Sequence, residues 1–137
     1  MGVINDIRTG AKTALDNTAS LAQTFTARPA AAGSFPVGWV DEMSIQINQT
    51  SGVRQWECSV DCVLAVSSFD NEEEVTALEV AAQQLMDYVA DNPHLMGANT
   101  VVGSTITGSL TGVDFGDGTP RPALTVTLGE FYYQEGR

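Results

Sequence analysis

From the start of the chain, Val3, Ile4, Ile7, Ala11, Ala14, Leu15, Thr18, Ala22 and Phe25 recur at steps of three and four. That spacing predicts an amphipathic helix over about residues 3–24. Its other face carries Asp6, Lys12, Asp16 and Gln23, a balance of charge suited to packing on a sheet. A membrane-surface helix would instead show a strongly basic polar face. The stretch from Arg28 to Pro36 has no period, is broken by Pro29, Gly33 and Pro36, and reads as a connector or arm. After it the period shortens to two. Trp39, Met43, Ile45 and Ile47 share one parity, and Glu42, Ser44, Gln46 and Asn48 the other, as expected of a half-buried strand. Gln49–Gly52 supplies a turn. The next segment alternates most cleanly: Trp56, Cys58, Val60, Cys62, Leu64 and Val66 against Gln55, Glu57, Ser59 and Asp61. Two such strands on a short polar turn make an antiparallel hairpin with one core face and one wet face.

Asp70 and Glu73 have the spacing of a capping box, and Glu72, Glu73 and Glu74 fill a first helical turn where the helix dipole favours acids. Val75, Leu78, Ala82, Leu85, Met86 and Val89 then line one helix face, and Asp91-Asn92-Pro93 ends it. Val102, Ile106 and Leu110 mark a Thr/Gly-rich strand, and Leu124, Val126, Leu128 and Tyr132 a last one. Between them runs a loop over residues 112–122, too long for a tight turn. The expected fold is α+β, in the order α-β-β-α-β-β. It has a mixed, largely antiparallel sheet of about four strands flanked by two helices, in a single domain over residues 1–137. The even-numbered residues Trp56 to Val66 should face the core against both helices.

Composition narrows the function. The net charge is −11, and the six basic residues Arg8, Lys12, Arg28, Arg54, Arg121 and Arg137 are scattered, so no patch for gripping phosphate is expected. Solubility explains the charge, and so does an acidic surface past which nucleic acid slides without sticking. No apolar run is long enough for a signal peptide or a membrane span, which makes synthesis in the cytoplasm the expectation. Cys58 and Cys62 share a strand face about 13 Å apart at ~3.3 Å per residue, too far for a disulfide with each other. They read as small apolar residues on a buried face. Asn48-Gln49-Thr50 fits a glycosylation sequon only by chance. His94 is the one histidine, sits in a loop, and has no nucleophile context. The run from Asp114 to Gly118 lacks the alternating ligands and closing Glu of an EF-hand. Neither phosphate-binding glycine motif is present. The chain is expected to be no enzyme, with no cofactor and no metal site.

The first helix over residues 3–24, the passage Phe35-Pro36-Val37-Gly38-Trp39-Val40 leading into a hairpin, the acidic-start helix and a closing hairpin ending at Tyr133 together resemble the tail terminator (tail completion) proteins of long-tailed bacteriophages. The resemblance covers most of the chain as pattern and order. It implies a sheet flanked by helices and a homo-oligomeric, hexameric ring that caps the tail tube. The partners implied are the tail tube protein and a head–tail connector protein, with DNA passing through unbound. The location implied is the virion, at the head-proximal end of the tail. The family has no catalytic residues to carry over. Candidate interface residues are Pro29, Phe35 and Pro36 in an arm over residues 28–38, and Asp114, Phe115 and Asp117 in the loop over 112–122. The alternatives are another neck or tail part, a head–tail stopper or a tube-like subunit, and a small enzyme or ligand-binding module using the acidic loop.

Overall fold

The computed structural model of the chain describes residues 3–29, 34–50, 53–66, 72–92, 104–113 and 121–135. The elements run α1 (Val3–Asp16), β1 (Gln23–Phe25), β2 (Val37–Thr50), β3 (Val53–Ala65), α2 (Glu72–Asp91), β4 (Ser104–Val113) and β5 (Arg121–Glu135). The class is α+β. All the strands belong to one sheet in the order β1-β2-β3-β5-β4. β1 pairs with β2 in parallel and the other neighbours are antiparallel, so the sheet is mixed and largely antiparallel.

The strand beyond the expected four is β1, and it comes from the helix that was expected to run to residue 24. Helix α1 stops eight residues earlier. Asn17 turns its side-chain amide onto the Thr13 carbonyl (2.9 Å), and the Thr18 hydroxyl donates to the Ala14 carbonyl (3.0 Å). The Thr18 amide closes a tighter bond to Leu15, and Leu21 does the same to Thr18. Asn and Thr side chains compete for helical carbonyls in this way, and the last turn unwinds. The apolar positions persist past that point for another reason: Leu21 packs on the core, and Phe25 lies in a strand.

Both helices cover the same face of the sheet. Ile7, Ala11, Ala14 and Leu15 of α1 and Leu78, Ala81, Ala82, Leu85 and Val89 of α2 join Cys58, Val60, Cys62, Leu64, Val66, Val126 and Leu128 in one core. The even parity of β3 thus faces inward as expected. Each fully buried leucine there contributes about 1.5–3 kcal/mol by area removed from water. Ile4 is 47% exposed, one step off the buried stripe.

Two bulges set which side chains face which way. Val40 pairs with Cys62 but Met43 pairs with Val60, so Asp41 and Glu42 together oppose Asp61. One extra residue inverts the parity of everything before it. Trp39 therefore does not share a face with Met43 and Ile45, which pack under the helices; it lies on the other side of the sheet. In β5, Leu128 pairs with Val60 and Phe131 with Cys58, so Gly129 and Glu130 oppose Ser59. A Cβ on Gly129 would fall 2.7 Å from the Ser59 Cβ, a rigid neighbour, which explains glycine at that bulge. Gly38 has a similar role: a Cβ there would meet Leu21, Leu64 and Leu15 at 2.9, 3.0 and 3.1 Å. Its absence lets the end of α1 settle on β2. The turn between β2 and β3 is shorter than the expected Gln49–Gly52, since Thr50 already pairs with Val53.

Candidate functional site

The side of the sheet away from the helices has two unlike halves. At the β1 end, Val37, Trp39, Val63, Ala65 and Ala123 form a second small core with Phe25 and Phe35 packed on it. Trp39 is 1% exposed and its Nε1 donates to Asp41 Oδ1 at 3.2 Å. Farther along the strands the same face turns polar. Ser44 pairs with Ser59 and Gln46 with Glu57, next to Asp61 and its partner Thr127. The Thr127 hydroxyl donates to Asp61 Oδ1 at 2.7 Å. Asp41, Glu42, Ser44, Gln46 and Asn48 are exposed. A shallow hollow lined by Ser44, Gln46, Glu57, Cys58 and Ser59 lies in this region. It is a broad acidic and hydroxyl surface.

The arm is not free along its whole length. Val37 and Gly38 belong to β2, and Phe35 is half-buried on the second core with the Arg121 guanidinium 5.0 Å over its ring. Such a stacked cation adds about 0.5–1 kcal/mol at an exposed site. Pro36, after a cis peptide bond, accepts a hydrogen bond on its carbonyl from the Ala22 amide at 2.8 Å. Phe35 and Pro36 also border a cleft of about 140 Å³ against Val66, Glu73, Glu74 and Ala77. Phe35 and Pro36 thus touch their own subunit. Pro29 is half-buried. The loop is shorter than 112–122, because Gly112 and Val113 lie in β4 and Arg121 and Pro122 in β5. Asp114, Phe115 and Asp117 lie outside the described residues, as does His94. Arg121 and the second core were missed by parity. The apolar run Cys62–Val66 was the available signal, because a strand with no polar parity is covered on both faces.

Chemistry-bearing groups are few. Cys58 and Cys62 are free and buried. Burial pushes the Cys62 thiol up to about 12, helped by Asp61 and Asp41, and burial raises Cys58 as well. Both thiols are expected to resist a thiol reagent at pH 8 and to react in full only in denaturant. The melting temperature should not move with reductant or EDTA; a fall of many degrees with EDTA would show a structural metal. Among the described residues no group of three or more His, Cys, Asp or Glu side chains could hold a metal ion.

An open hollow of about 470 Å³ lies along α1 between Asn5, Arg8, Thr9, Lys12, Thr13, Asp16 and Thr26. Lys12 pairs with Asp16 at 2.8 Å and Thr24 donates to the same carboxylate. Partial burial opposes ionisation of Asp16, but these hydrogen bonds outweigh it and hold the carboxyl below its usual range. The bond from Thr24 ties β1 to the end of α1. No described helix is long and apolar enough to cross a membrane. No protein-family model and no curated protein matches this chain.

Proposed function

We propose that the chain is a structural virion protein that forms a ring on a phage tail tube, ends its polymerisation and offers a face for docking to the head. The observation that carries this reading is the one-sided architecture. Both helices cover one face of the sheet, while the distal half of the other face is open and acidic among the described residues. A ring with helices outward and that face inward has a lumen that repels phosphate at short range. DNA then passes without adhering. The net charge of −11 and the resemblance in element order support the same role. In this reading the chain is not an enzyme and needs no cofactor. Its partners are copies of itself, the tube protein and a head–tail connector protein.

A tube-like subunit is the second reading, favoured by the sheet edges that the described residues leave open. It shares the ring and differs in stacking.

The test is to add the purified chain to purified tail tubes and image their ends. A single ring at one end of each tube is expected, with tube growth arrested. Stacks of rings that lengthen the tube favour the second reading. Bare ends at a large excess of the chain overturn both.

A further inference from the structure

We infer that copies of this chain join edge to edge, β4 of one copy adding to the open edge of β2 in the next. The inference rests on the self-assembly reading above but not on the place of the ring in the tail.

The first observation is that, among the described residues, each side of the sheet ends on a strand edge with no partner strand. β1 covers only Val37–Trp39 of β2, so Val40–Thr50 has no strand beside it among the described residues. β4, on the opposite side, pairs with β5 alone among the described residues. Proteins that stay monomeric blunt such edges with lysine, proline or inward charge, because bare backbone donors and acceptors recruit another strand. On β2 such devices are confined to the bulge at Asp41 and Glu42; beyond it the edge carries neither charge nor proline. Ser104–Val113 contains no charged residue and no proline, and neither does Met43–Thr50. In a chain of net charge −11, the uncharged stretches Met43–Thr50 and Ser104–Val113 are where copies meet at least electrostatic cost. Ile47, 49% exposed on the β2 edge strand, adds an apolar side chain beyond the reach of the helices.

The second observation is polarity. β2 is antiparallel to β3, β3 to β5, and β5 to β4, so β4 runs opposite to β2. Copies related by rotation keep their strand directions, and β4 then meets the next β2 antiparallel, in the better-bonded arrangement. The third is stagger. The middle of β4 stands level with Leu124, Leu64 and Gly38, whereas the middle of the open β2 edge is Ile45. Less the bulge residue, the offset is about six residues, or ~20 Å along the strand, against ~19 Å across four strand spacings. That tilts the strands by roughly 45°, close to the 35–45° of closed barrels. A tilted, closed sheet follows, with the helices on one side and the acidic face on the other.

The test uses cysteine pairs in the full chain with a short bismaleimide cross-linker, the native thiols being buried. Chains carrying Thr107→Cys mixed with chains carrying Gln46→Cys should give cross-linked pairs, and the double variant a ladder ending in a closed species. A second variant, Ser109→Pro, lies where β4 has no register partner on β5, between Thr107 and Thr111. It should leave the melting temperature near that of the parent and weaken self-association at least tenfold by mass photometry. Cross-linking of Thr107→Cys chains with one another as efficiently as with Gln46→Cys chains overturns the pairing in favour of β4 meeting β4. Tube ends capped by Ser109→Pro as well as by the parent overturn it while the ring stands. Bare tube ends with the parent overturn the tail reading, and cross-linked ladders in that case still uphold the pairing.

Discussion

Replacing Trp39 by alanine is expected to lower stability by about 3–5 kcal/mol, the range for truncating a fully buried aromatic. Of the fully buried side chains, Trp39 is the largest. It fills the second core with Val37, Val63, Ala65 and Ala123, and both Phe25 and Phe35 lean on that cluster. Removing the indole opens a cavity under β1 and Phe35 and also removes the bond to Asp41. The indole is the common apolar floor of those segments, whose other ties are the short β1–β2 pairing and a few hydrogen bonds. A domain of ordinary stability has only about 5–15 kcal/mol to lose, so the variant should sit near the edge of folding. Urea denaturation followed by circular dichroism gives the loss directly. Trp39→Phe should recover part of it, because most of the volume returns. A loss under about 1 kcal/mol would mean that the outer cluster is not packed as described.

The sequence declared β3 and α2 because each carries one uninterrupted period. Alternation from Trp56 to Val66 and steps of three and four from Val75 to Val89 leave little choice of face. The errors arose where two signals met. Ala22 and Phe25 continue the three-and-four spacing of α1 by accident of position, Ala22 being exposed and Leu21 the residue that packs on the core, while Asn17 and Thr18 end the helix through side-chain bonds that periodicity does not register. The bulge at Asp41–Glu42 shifts Trp39 by one step relative to Met43. A parity count across residues 39–47 cannot detect that, because bulges leave no fixed residue signature when Gly is absent. The candidate interface residues are legible only as members of segments without period. Pro29, Phe35 and Pro36 lie in a stretch whose lack of period suggests an arm reaching a neighbour, but Phe35 and Pro36 rest on their own sheet. The open edges of β2 and β4 could not be read at all, since strand order in a sheet is a property of tertiary contacts.

Charge reversal on the polar half of the open face is expected to have the largest effect on function. Glu42 and Ser44 are exposed on β2, and Glu57 stands beside them on β3, paired with Gln46. None of them packs in either core, so Glu42→Lys, Ser44→Lys and Glu57→Lys together should leave the fold in place. If this face lines the lumen, three lysines per copy are repeated around the ring at the radius that DNA passes. The parent ring should show no retention of double-stranded DNA at ~50 mM salt. The variant ring should bind it, with affinity falling steeply as salt rises, about 0.9 log units per log of salt for each phosphate neutralised. In particles, rings should still cap tubes, while DNA delivery slows and infectious yield drops at least tenfold. The control places a comparable charge change, one unit smaller per copy, elsewhere: Glu79→Lys with Asp91→Lys, both exposed on α2. If those helix substitutions retain DNA and depress yield as strongly as the sheet substitutions, net charge alone explains the effect and the open face is not the lumen. If the sheet variant assembles normally and neither binds DNA nor lowers yield, the acidic face looks outward and the proposed orientation of the ring is wrong.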